Sequence, residues 1–261
     1  MILQAFLRRD WANKLSYRLD FVWHLGSLFF FGLLLFFLSA ALPGFSEGRK
    51  VDGYFAFAIV GYAMADAMWA CLRSFASAIR HDQVVGTLEA MVASSTPLWK
   101  LVLNSGGYPF LYAALRLFLM LGMAAALGAG FALPQVILAL PVLLLSLAVF
   151  ASLGVISAAM ILIIKQGDPV AAIIGAVSYL FSGTIYPVSA LPDSLEWVAR
   201  CLPLTYSIDA VRGILLDNGS LGDVAGSITA LVISLVVCSL LAMVSLRVAH
   251  RMVRVNGIQQ Y

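Results

Sequence analysis

Residues 136–164 read VILALPVLLLSLAVFASLGVISAAMILII, an apolar run without one ionisable side chain. A bilayer hydrocarbon core is about 30 Å thick and takes about 20 apolar residues of helix at about 1.5 Å per residue. The run exceeds that length, so it reads as a membrane-crossing helix. Five further stretches reach or approach the same length on either side of it: residues 21–42, 54–78, 106–132, 170–186 and 224–249. The whole chain fits this reading. Of its 261 residues 62% are hydrophobic and only 11% charged, with a mean hydropathy of +0.97. Soluble domains carry about 45–50% apolar and about 25% charged residues, so too few charges are present to cover a water-soluble surface. The same arithmetic excludes a disordered chain, a disulfide scaffold and a nucleic-acid-binding module. Short alternating segments of the kind that build transmembrane barrels are missing. The expected fold is all-α and polytopic, with six spans.

A cleaved signal peptide is the competing reading of the first span, because Ser39-Ala40-Ala41 resembles a cleavage site. The apolar run there is longer than the typical core of about 7–15 residues, which favours a retained span. Six spans put both termini on one side. Counting that way, Arg8, Arg9, Lys14, Arg18, Arg73, Arg80, Lys100, Lys165, Arg247, Arg251 and Arg254 share the side of the termini. Only Arg49, Lys50, Arg200 and Arg212 fall on the other. Positive residues concentrate on the cytoplasmic side, so both termini are expected there.

The chain offers no chemistry of its own. It has no Gly-x-x-x-x-Gly-Lys-Ser/Thr loop, no His-Glu-x-x-His, no Gly-x-Ser-x-Gly and no carboxylate-rich metal motif. No catalytic residue and no metal site are therefore assigned. Cys71, Cys201 and Cys238 are widely spaced and read as small packing residues.

Three segments are more than simple spans. Residues 1–20 set Leu3, Phe6, Leu7, Trp11, Leu15 and Leu19 at helical spacing against Arg8, Arg9, Lys14 and Arg18. That pattern is a basic amphipathic helix lying in the membrane interface, either as a plain anchor or as a contact for a cytoplasmic partner. The loop over 82–96 carries Val84, Val85, Leu88, Met91 and Val92 on one stripe, with Asp82, Thr87 and Glu89 largely off it and Pro97 beyond its end. A short turn would suffice to join two spans, so an ordered helix there reads as a docking element, against the plainer reading of an interfacial loop helix. The third segment, 188–216, is apolar on one side but interrupted by Pro192 and Pro203, with Pro187 just before it. Neither piece is long enough to span. Broken helices at membrane depth need protein or a water-filled cavity around their freed backbone groups, as in a re-entrant pair at the outer mouth.

Two ionisable residues stand inside the spans, Asp66 and Arg116. From the ends of their spans they lie roughly 18 Å and roughly 15 Å deep from opposite faces at 1.5 Å per residue. In a core of about 30 Å they share a level, and a pair is expected because a lone charge at mid-depth costs about 2.5–3.5 kcal/mol. A self-sufficient secondary transporter or channel would be expected to use such residues, but no internal repeat or matched pair of broken helices supports that alternative. A membrane-embedded enzyme is disfavoured by the missing catalytic cluster.

At the residues just described the sequence resembles the membrane subunit of an ABC-2-type exporter. The most specific signal is SGTIYPVSALP followed by LPLTYSIDAVRGILL across 182–216, supported by GTLEAM at 86–91 and by the N-terminal amphipathic helix. The motif positions are Ser182, Gly183, Tyr186, Pro187, Leu191, Pro192, Pro203, Leu204, Thr205, Tyr206, Asp209 and Arg212. The resemblance implies that Asp82, Gly86, Thr87, Leu88, Glu89 and Met91 belong to a coupling helix seated on a separate ATP-binding subunit. Arg8, Arg9, Trp11 and Arg18 would belong to the interface helix beside it. It further implies two ATP-binding subunits, which carry the ATP and Mg, and a second membrane subunit, with a homodimer favoured over a heterodimer. The expected setting is the cytoplasmic (inner) membrane of a prokaryote, with lipid as the surrounding solvent. Within the family the Pro203-Leu-Thr-Tyr206 form looks closer to members exporting drugs, lipids and lipo-oligosaccharides.

Overall fold

The computed structural model describes residues 18–41, 51–86, 98–164 and 169–256. All regular structure among them is helical: α1 Arg18–Ala41, α2 Val51–Val84, α3 Leu98–Ala126, α4 Leu133–Ile164, α5 Pro169–Phe181, α6 Asp193–Cys201, α7 Pro203–Leu215 and α8 Ala225–Asn256, with a short 3-10 turn at Val188–Ala190. Three of them are long and apolar enough to cross a membrane, over Gly53–His81 of α2, Leu133–Ile164 of α4 and Ala225–Met252 of α8. Shorter apolar stretches occupy Gly26–Ala41, Phe110–Ala126 and Ala171–Phe181.

Burial sets the order of these helices. In α2 72% of the most apolar stretch is enclosed by protein, against 44% in α4 and 17% in α8. The central rod is therefore α2. Its Ile59, Met64, Met68 and Leu72 are fully buried and share one core with Leu143, Leu147 and Phe150 of α4 and Leu117 and Met120 of α3. By contrast α8 turns Ile233, Val236, Leu240 and Val244 outward, as lipid-facing or subunit-facing side chains do. Pro141 stands inside α4. It faces outward with Ile137, one turn earlier, so the backbone bond that it removes lies on the exposed side of the helix.

Helix bounds depart from the apolar runs in two places that matter. The coupling helix expected over 82–96 does not begin at Asp82, because α2 continues unbroken through Val84. Apolarity marks where lipid ends, whereas a helix continues as far as its backbone bonds do. Here Gly86 stops it by taking a left-handed φ of 77°, which glycine adopts without a steric penalty. Thr87, Leu88, Glu89 and Met91 lie outside the described residues, as do Arg8, Arg9 and Trp11, and Arg18 opens α1. The fifth stretch, expected to run to Tyr186, ends as helix at Phe181. Gly183, with φ of 74°, turns the chain out of line there.

Candidate functional site

The motif at 182–216 folds as two short helices hinged at Pro203 and anchored to the end of α5. α6 takes Asp193 and Glu196 into its first turn and Arg200 into its last, the charge order that a helix dipole favours. Its final carbonyls then need partners, because the last four in any helix have none within it. The Pro-Leu-Thr-Tyr sequence supplies them. Thr205 donates its hydroxyl to the Ala199 carbonyl at 2.7 Å, and Tyr206 donates to the Arg200 carbonyl at 2.7 Å. Pro203 occupies the first turn of α7, where a missing N–H costs nothing. Tyr186 does the same service for α5 by donating to the Leu180 carbonyl. The motif residues Thr205, Tyr206 and Tyr186 thus act as caps that fix the angle between consecutive helices.

The residue at the centre is Arg212. Leu204, Ile208, Val211 and Leu215 form the buried stripe of α7, and Arg212 falls on that stripe with 7% of its surface exposed. Its guanidinium donates four hydrogen bonds, all to main-chain carbonyls. Nε and Nη2 reach the Phe57 carbonyl at 3.2 and 2.8 Å, Nη1 the Gly183 carbonyl at 2.8 Å, and Nη2 the Thr184 carbonyl at 2.9 Å. The Phe57 ring lies beneath the guanidinium carbon at 3.4 Å. One planar cation therefore ties α7 to α2 and to the turn that leaves α5. Gly61 of α2 makes room for it, since a Cβ there would stand 2.0 Å from the Thr184 carbonyl oxygen and 2.4 Å from Nη2. Asp209, one turn earlier, attracts the same cation from an exposed position.

A second polar locus sits near the midpoint of the apolar part of α2. Arg116 of α3 grips Asp66 with two hydrogen bonds, Nη2 to Oδ1 at 2.8 Å and Nε to Oδ2 at 3.2 Å. Their side chains are 13% and 16% exposed, so the charges are largely withdrawn from solvent and neutralise each other. Tyr62, one turn from Asp66, stacks on Phe31 of α1 at 5.1 Å between centroids.

The positions named from sequence separate into groups. Asp66 and Arg116 meet. Ser182, Gly183 and Tyr186 lie at the end of α5, where Arg212 reaches the Gly183 carbonyl, whereas Thr205 and Tyr206 close the α6–α7 hinge and Leu204 is buried in the core. Pro187, Leu191 and Pro192 flank the short 3-10 turn, with Pro187 and Pro192 exposed. Asp82 ends in α2, away from that hinge. Sequence reasoning missed the burial of Arg212, which it counted among the loop charges of the outer side. The signal was present in the spacing, because residues 204, 208, 211, 212 and 215 share one helical face. Among the described residues no group of three His, Cys, Asp or Glu side chains comes together in a metal-binding arrangement.

Comparison with known proteins bears on the same residues. The family described as ABC-2 type transporter matches residues 1–216, which include the whole of α1 to α7. Among curated proteins, the chain is 33% identical over 218 residues to nodulation protein J of Rhizobium leguminosarum bv. trifolii, covering 82% of each chain. It is 31% identical over 196 residues to nodulation protein J of Sinorhizobium fredii, covering 73% of this chain and 74% of that one. A third protein of that name, from Rhizobium meliloti, is 31% identical over 189 residues and 71% of each chain. The chain belongs to the ABC-2 type transporter family of membrane proteins.

Proposed function

We propose that this chain is the permease subunit of an ATP-driven exporter, six spans deep in the inner membrane of a prokaryote, with both termini cytoplasmic. The observation that carries the reading is the family match across residues 1–216, which takes in both the first cytoplasmic loop and the α5–α7 junction. The chain has no nucleotide-binding loop, so driving energy enters by contact with a separate ATP-binding subunit. Thr87, Leu88, Glu89 and Met91 form the docking surface, directly beyond the end of α2. The interface helix with Arg8, Arg9, Trp11 and Arg18 lies beside it. Two permease subunits, identical to each other, pair with two ATP-binding subunits that hold ATP and Mg. The domain organisation follows: an interface helix, six spans, a coupling segment after α2, and the α6–α7 pair re-entering the outer leaflet as a lid. The substrate is amphipathic, lipid-linked or drug-like, in keeping with the Pro203–Tyr206 form.

ATP binding in the partner favours one arrangement of the permease over the other by its differential affinity for the two, which is the only way a ligand shifts such an equilibrium. Membranes from cells expressing the ATP-binding subunit with and without this chain test the reading. Vanadate-sensitive ATP hydrolysis that depends on the chain is the expected result. Equal hydrolysis in both preparations overturns it.

A further inference from the structure

We propose that Arg212 is a positioning residue for transport: its seat on the Phe57, Gly183 and Thr184 carbonyls holds the α6–α7 lid onto α2 at rest, and movement of α2 releases it. The inference rests on the permease reading above and adds to it the joint through which the lid is worked.

Three observations lead there. First, α2 is one uninterrupted helix of 34 residues from Val51 to Val84, about 50 Å of rod at 1.5 Å per residue. Its far end runs into the docking loop, and its near end carries the Phe57 carbonyl. A displacement at one end is therefore delivered to the other with no intervening hinge. Second, the seat is shared between elements. A planar guanidinium holds acceptors from α2 and from the turn after α5 in one plane, so sliding one past the other breaks the alignment that hydrogen bonds require. The close approach is specific to this arrangement, because Gly61 leaves no side chain between the rod and the Thr184 carbonyl. Third, the seat is made of neutral acceptors. All four bonds go to carbonyls, and the hydroxyls of Ser182 and Thr184, on either side of Gly183, are buried without a protein hydrogen-bond partner. A cation locked to a buried carboxylate, as Arg116 is to Asp66, would be far harder to release.

The test uses Ser182→Cys, fully buried and next in sequence to the Gly183 carbonyl that Arg212 holds, in the full chain with Cys71→Ala, Cys201→Ser and Cys238→Ala, co-expressed with its ATP-binding subunit in right-side-out membrane vesicles. The probe is an impermeant charged maleimide. With Arg212 intact, labelling is expected to be slow in empty vesicles and at least tenfold faster in vesicles loaded with Mg-ATP. With Arg212→Met it should be fast in both, and with Arg212→Lys it should regain part of the nucleotide dependence. Equal labelling of the Arg212 and Arg212→Met forms at rest overturns the proposal. So does slow labelling of the intact form while ATP is being hydrolysed. Should Arg212→Met fail to reach the membrane, Gly61→Ala decides, since it displaces the seat and keeps the charge. Fast labelling in both conditions then supports the latch. Failure of both variants to assemble makes Arg212 purely structural and overturns it. Absence of chain-dependent ATP hydrolysis counts against the permease reading, and the resting comparison still decides the seat.

Discussion

Arg116 and Asp66 face each other across α3 and α2 in a two-point ion pair near the midpoint of the apolar part of α2, the guanidinium donating through Nη2 at 2.8 Å and Nε at 3.2 Å. Breaking a buried pair by removing one member typically costs about 3–5 kcal/mol. Asp66→Asn and Arg116→Gln should each sharply lower the yield of folded protein extracted in mild detergent. The double variant should recover much of the loss. Size-exclusion yield of the three variants checks this, and strictly additive losses would mean that the contact contributes nothing.

The caps at the α6–α7 hinge give a second expectation. Thr205→Val keeps the shape and removes the bond to the Ala199 carbonyl, an exchange worth about 1 kcal/mol at a buried site. For a chain of this size that lowers a thermal midpoint by about 3 °C. Tyr206→Phe removes an exposed bond and should shift the midpoint less. Thermal unfolding in one detergent compares them directly. A larger loss for Tyr206→Phe would reverse the assignment of which cap holds the hinge.

Placement of the two short helices yields a third. Ser189, Asp193 and Asn218 are all exposed, around the two short helices and the turn after them. Single cysteines at these positions, in a cysteine-free chain, should all react with an impermeant thiol reagent from the outer side. Labelling of Asp193→Cys and Asn218→Cys from opposite sides would mean that 188–216 crosses the membrane.

How far the sequence could be read depends on which forces leave a one-dimensional trace. Apolar length is such a trace, and the run at 136–164 lies within one helix, Leu133–Ile164. Depth is another: Asp66 and Arg116 could be paired by counting residues from span ends. Proline breaks showed that 188–216 divides, and it divides into α6 and α7 at Pro203. Helix ends left a poorer trace, since Asp82 belongs to α2 and α5 stops at Phe181 before its apolar run does. Both ends are set by glycines in left-handed conformations, a property of the backbone that hydropathy does not register. The burial of Arg212 was missed for a related reason. Counting charges by loop assumes that a charge near a membrane end faces water, whereas this one is satisfied by carbonyls from residues 57, 183 and 184.

The segment proposed to dock the ATP-binding subunit supplies a fourth expectation. Glu89→Arg reverses a charge on the polar side of the segment that follows α2. Membrane insertion and folded yield should be unchanged, while the amount of ATP-binding subunit retained by the purified chain falls several-fold. Wild-type retention together with wild-type ATP hydrolysis would remove Glu89 from the docking surface.

The most direct measurement is the mass of the intact assembly. The chain, tagged and purified from membranes in mild detergent beside its co-expressed ATP-binding subunit, is weighed by native mass spectrometry after detergent removal in the gas phase. The account predicts one species containing two copies of this 28.0 kDa chain and two of the ATP-binding subunit. A chain that emerges alone, as monomer or dimer with no ATP-binding subunit at any concentration tested, would contradict it.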